Sequence, residues 1–267
     1  MRSFLFLMVV GFFVVYAYAQ TTNKLSVAER RARRQARIEA RIAAEGGMVV
    51  KPNTGSYARI LCGTTKVDSR QVKVVVDKFN VGLNIWFDIK DVKLDIPAIE
   101  FARREAKRPK TGFLLVVVDD ATLPMTLSAY EEGWAIMNVR PLGMDFPPKG
   151  VYNQRIQKQI NRSFAQAAGA GLSFNKPCVM EPVFSLVDLD RIKYPVISPE
   201  VMSKVLDVCA KRDVQSIVSE TYLEACRAGW AAAPTNELQK TIWERSRSLP
   251  DKPIKIKYDA SRDALKK

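Results

Sequence analysis

The sequence predicts an α/β domain with a long helix near its centre and a helical C-terminal part. Three observations carry this reading. Between residues 57 and 139, short apolar runs alternate with amphipathic stretches of helical period. One run, 113–118, is apolar at every position, as expected of a strand buried on both faces. From residue 155 onward helical spacing dominates, with Ile156, Ile160, Phe164 and Ala167 on one stripe that closes at Gly169 and Gly171.

In chain order, residues 1–19 read as a secretory signal peptide. Arg2 supplies the basic start, 4–16 the apolar run, and Ala17-Tyr18-Ala19 the small-residue cleavage site before Gln20. The expected localisation is therefore export, with a retained signal anchor as the alternative. Lys24 and the arginines at 30, 31, 33, 34, 37 and 41 follow closely, and positive charge there opposes translocation. Residues 26–45 form a helix opened by a Ser26/Glu29 capping box and stopped by Gly46-Gly47. Its apolar residues are mostly alanine, so it is too polar for a core helix. It reads as a basic arm for anionic lipid or a polyanion (residues 24–47), or as a solvated spacer. Residues 51–55, with Pro52 and Gly55, are a linker, so the segment 20–55 precedes the domain.

The domain is expected over 56–212. Strands are predicted at 57–62, 85–89, 113–118 and 134–139. Helices are predicted from Asp68 or Ser69 to Phe79, and over 97–107 with Ile99, Phe101 and Ala102 inward. Ser198-Pro199-Glu200 opens another helix, running to about Arg212. The remainder, 213–267, reads as a helical extension: one helix over 214–231, another after Pro234 with Leu238, Ile242 and Trp243 inward, and a charged tail.

The chain contains no histidine, which removes a tris-histidine zinc site, a Ser-His-Asp triad and a Cys-His dyad at once. Its net charge of +14 favours an acidic polymer or surface as a partner. Cys62, Cys178, Cys209 and Cys226 show no C-x-x-C pair, which argues against a cysteine zinc site and leaves disulfides or free buried thiols open. No cofactor is expected. Asp119 and Asp120 end the apolar strand, and Asp188 and Asp190 lie further on. Such acids can serve acid–base chemistry, but polar turn residues at a strand end are the commoner use.

The stretch 155–190 carries the spacing of a zinc-protease motif. That motif, H-E-x-x-H-x-x-G-x-x-H before a methionine turn, puts two imidazoles one helical turn apart and swings in a third past a glycine bend. With Gly169 on the motif glycine, the histidine positions fall on Arg162, Gln166 and Leu172, and the glutamate position on Ser163. Arginine repels a cation, glutamine is a poor zinc ligand, leucine has no donor, and serine is no base at neutral pH.

In this segment the chain resembles the archaemetzincins. In that family a cysteine follows the third histidine, then C-x-M and a later C-x-x-C pair, and these cysteines hold a structural zinc. Here those positions are Ser173, then Cys178-Val179-Met180, then Ser198 and Val201. The family's basic approach to the helix is matched by Arg155 and Lys158, and its acidic segment by Leu186, Asp188 and Asp190.

The resemblance implies a metzincin-like mixed sheet, a long former active-site helix and a Met-turn. It also implies a pseudoenzyme lacking zinc and catalytic glutamate. Its substrate-cleft edge would be the strand before the long helix, with Trp134, Ile136 and Asn138 as the candidate peptide-binding positions. The expected partner is an extended peptide or protein, and no small-molecule cofactor.

Overall fold

The computed structural model describes residues 26–174 and 177–248. The signal-peptide reading and the charged tail lie outside the described residues. In chain order the elements are α1 (Val27–Ala44), β1 (Met48–Val50), β2 (Tyr57–Cys62), α2 (Ser69–Leu83), β3 (Phe87–Asp91), α3 (Ala98–Ala106), β4 (Thr111–Val118), β5 (Thr126–Ala129), β6 (Trp134–Asn138), a 3-10 turn (Pro141–Gly143), α4 (Lys149–Ala167), α5 (Leu186–Arg191), α6 (Pro199–Lys211), β7 (Ser219–Thr221), α7 (Tyr222–Arg227) and α8 (Glu237–Ser248). The described residues form two compact units: 52–218, and the flanks 26–51 and 219–248 together.

The larger unit is a mixed α/β fold on a five-stranded sheet of order β3-β2-β4-β6-β5. All neighbours are parallel except β5, which runs antiparallel to β6. Alternation along β4 divides the core. Phe113, Leu115 and Val117 face α2, α4 and α6, while Leu114, Val116 and Val118 face α3. Both faces are thus covered, which is why the β4 sequence is apolar throughout. On the larger side Phe164 of α4 meets Phe79, Phe87 and Phe113, with ring centroids 5.0–5.2 Å apart.

Asp68 caps α2 through a capping box with Gln71, and Ser198 caps α6 ahead of Pro199. Helix α4 begins at Lys149 behind Pro148, earlier than the apolar stripe shows, because its first turns are polar. It ends at Gly169, whose φ of +74° is a left-handed conformation that glycine adopts without strain.

The expected edge strand is corrected. Trp134, Ile136 and Asn138 lie on β6, which is flanked by β4 and β5 and buried at every position. The sheet edge on this side is β5, a four-residue strand of threonine, leucine, serine and alanine, too short and mixed to stand out from the loop around it.

In the smaller unit β1 pairs with β7 antiparallel. The helix expected over 214–231 is also corrected. Val214 and Ser216 make isolated bridges to Ser56 and Ile85, Ser219–Thr221 form strand β7, and a Thr221/Glu224 capping box delays helix onset to Tyr222. Gly229, at φ +76°, follows the helix closely. On α8, Ile242 is buried as expected but Leu238 is exposed. Among the described residues no helix is long and apolar enough to cross a membrane.

Candidate functional site

Helix α4 buries polar side chains as systematically as apolar ones. Arg155, Lys158, Gln159, Arg162 and Ser163 recur at helical spacing and are all buried. A polar or charged group removed from water needs partners, and each of these side chains has at least one, while Gln159 Oε1 has none among the described residues.

At the start of the stripe, the Arg155 guanidinium is held between two carboxylates. It donates to Asp145 at 2.6 and 2.8 Å and to Asp190 at 2.9 and 2.6 Å, with a further bond to the Leu142 carbonyl at 2.9 Å. Hydrogen bonds from Arg155 hold both carboxyls below the usual range, and the two acids raise the guanidinium in turn. Lys158 donates to the carbonyls of Leu189 at 2.9 Å and Asp190 at 3.3 Å, and burial lowers its pKa. Arg155 and Lys158, with Asp190, therefore bind α5 to α4.

One turn on, Arg162 is only 4% exposed. Its Nη1 donates to the carbonyls of Val179 and, at 2.7 Å, Glu181. The guanidinium fastens the turn 178–181 beneath the helix, and burial depresses its pKa. On the adjoining face Gln159 Nε2 donates to Thr126 Oγ1 of β5 and to Ser163 Oγ, and the two hydroxyls lie 3.0 Å apart. Gln166 is half-buried, and its Oε1 has no hydrogen-bond partner among the described residues. Leu172 is 51% exposed beyond the helix.

The turn itself is built around Cys178, which is buried with Val179 and Met180. Its Sγ accepts from the backbone N–H of Met180 and of Ser198, both at 3.4 Å. Burial raises the thiol pKa, but these bonds, with those from the Ser198 and Ser173 side chains, outweigh it and leave the pKa below its ordinary value. Ser173 also donates its N–H to the Met180 carbonyl at 2.9 Å, and Val201 N–H reaches Ser198 Oγ at 3.5 Å. Ser173, Cys178, Ser198 and Val201 thus form one buried cluster from three separate stretches of chain. All four cysteines are free thiols. Burial pushes Cys62 and Cys209 up to about 12.

The other acids have structural partners. Asp119 pairs with Lys66 at 2.9 Å and Arg140 at 2.8 Å; Asp120 accepts from Thr122; Asp188 accepts from Ser185. These bonds lower all three carboxyls, against burial in the case of Asp119, so none is held as an acid near neutrality.

The helix face does not suit a zinc ion. It offers a guanidinium, an amide and a hydroxyl, and the cation-repelling group is locked onto carbonyls. Among the described residues no cluster of three or more His, Cys, Asp or Glu side chains could hold a metal.

The polar stripe was visible in the sequence as a period, but its pairing was not. Gln159, Thr126 and Asp145 carry no signal of their own in the sequence: Gln159 meets Thr126 across 33 residues, and Asp145 reaches Arg155 from a loop 10 residues before it.

No family model matches the chain, and no curated protein does. Among solved structures it is similar to the archaemetzincin from Methanopyrus kandleri, at 15% identity over 61% of this chain and 99% of that one, with a TM-score of 0.48. It is similar also to a zinc-dependent peptidase from Methanocorpusculum labreanum, at 15% identity over 55% and 100% of the two chains, with a TM-score of 0.41. At this identity the likeness concerns fold alone.

Proposed function

We propose that this chain is a metzincin-like pseudoprotease that binds extended polypeptide and does not cleave it. The observation that carries the reading is the open edge of β5 beside α4. Asn138 N–H donates to the Met125 carbonyl at 3.0 Å. Antiparallel alternation then makes Leu127/Ile136 the next bonded pair and turns the N–H and C=O of Thr126 and Ser128 outward. An extended peptide can add to such an edge through backbone hydrogen bonds alone.

The surroundings support this. Tyr130 lies exposed at the end of β5 against Gly169, and Leu172 and Phe174 are exposed just beyond. These are apolar surfaces for side chains of a bound segment. The positions that would ligate zinc in the archaemetzincin register carry Arg162, Gln166 and Leu172, and Ser163 stands where the general base would be. The buried Ser173, Cys178, Ser198 and Val201 cluster also favours that register, since it is where the family's structural cysteines would meet.

The test uses Ser128→Pro. Ser128 N–H faces away from β6, so proline there removes an outward donor while leaving the β5–β6 ladder in place. Fluorescence anisotropy against a library of unstructured peptides should show saturable binding by the natural chain and its loss in the variant, with thermal unfolding little changed. Equal binding by both, or chelator-sensitive cleavage of a mixed protein substrate, would overturn the reading. Export belongs to the same proposal, and is checked by sequencing the N-terminus of the mature protein, expected at Gln20.

A further inference from the structure

Helix α1 has no buried residue. Among the described residues, Arg30, Arg31, Arg33, Arg34 and Arg37 make no ion pair and no side-chain hydrogen bond. Arg41 alone is engaged, with Glu45 at 2.7 Å and Glu224 at 3.8 Å. Unpaired cations held on a rigid scaffold repel one another, and an external anion relieves that repulsion.

Their arrangement is one-sided. At 3.6 residues per turn, every arginine of α1, with Val27, Ile38 and Ile42, falls within an arc of about 180°. The opposite arc holds Glu29, Glu39, Gln35 and almost all of the alanines. The acids are further occupied on that side: Glu29 in the Ser26 capping box and Glu39 with Gln35 at 2.9 Å. The cationic half also carries the branched aliphatics, with Val27 61% and Ile38 44% exposed among the arginines. A polyphosphate chain needs only the cations. Exposed aliphatics interleaved with arginines match a surface that is anionic at its headgroups and apolar just below.

We infer that α1 is a membrane-surface arm that lies along an anionic lipid leaflet through its arginine face, with Val27 and Ile38 entering the headgroup boundary. This site is separate from the peptide edge and does not depend on it.

The full chain is tested by co-sedimentation with phosphatidylcholine vesicles, with and without phosphatidylserine. The readout is the ratio of anionic to neutral binding, so any contribution from residues 4–16 divides out. The natural chain should prefer anionic vesicles, less so at high salt. Arg30→Gln/Arg34→Gln/Arg37→Gln should lower that preference about a hundredfold, at roughly fivefold per arginine. Lys73→Gln/Lys78→Gln/Lys204→Gln, which removes the same charge from the other unit, should leave it unchanged. Val27→Ser/Ile38→Ser should weaken lipid binding and not binding to single-stranded DNA. Equal loss in the lysine variant would reduce the effect to net charge and overturn the inference. So would vesicle binding that is weaker than DNA binding and unchanged by Val27→Ser/Ile38→Ser. Circular dichroism of each variant should show an unchanged helix content, since glutamine and arginine have similar helix propensity.

Discussion

At the scale of single residues, Arg162 is the most informative side chain. A buried guanidinium is costly unless its donors are used, and here Nη1 binds two carbonyls of the turn beneath the helix. Arg162→Ala would leave the Val179 and Glu181 carbonyls without this donor and open a cavity. It should cost about 3 kcal/mol, read from urea unfolding. A loss below about 1 kcal/mol would show that the turn holds without the arginine. The adjoining Cys178 is held in a comparable way: its thiol accepts from surrounding N–H and hydroxyl groups, which leave its pKa below the ordinary value.

At the scale of elements, the Arg155 clamp joins three pieces of chain: the loop with Asp145, helix α5 through Asp190, and α4 itself. Both carboxyls are held below their unfolded values by Arg155, so they bind protons less readily when folded. Their contribution to stability is fully present above the unfolded value of about 4 and is lost as pH falls through the lower folded value. Stability measured by denaturant should therefore be level from neutrality to about pH 5 and decline in acid. Asp190→Asn should be less stable at neutrality and show a shallower acid decline; an unchanged acid limb would remove the clamp from the account.

Elements also show what could be read from sequence. Strand β2 and the α1 and α6 caps were legible because their signals are local: alternation, a capping box, a proline at the first turn. The edge was not. Whether 134–138 is interior or peripheral depends on whether the stretch before it folds back, and Thr126–Ala129 carries no strong strand period. The 214–231 error has a related cause, since the Val214 and Ser216 backbones are claimed by Ser56 and Ile85, far away in the chain. The buried stripe on α4 was legible as charge in phase, while its acceptors were hidden in loops.

For the whole molecule, an α/β unit combines a long helix, a buried turn around Met180 and an outer antiparallel strand, with arginine, glutamine and serine on the helix face. A second unit carries a one-sided cationic helix. We propose that the first holds an extended peptide and that the second rests on an acidic surface. We propose that this fold needs no metal. The most direct measurement is elemental analysis of the purified chain before and after chelation, with thermal unfolding followed in parallel. The account expects zinc far below one equivalent and an unfolding temperature indifferent to chelator. Stoichiometric zinc whose removal unfolds the protein would contradict it, and would mean that other donors in the chain bind the ion.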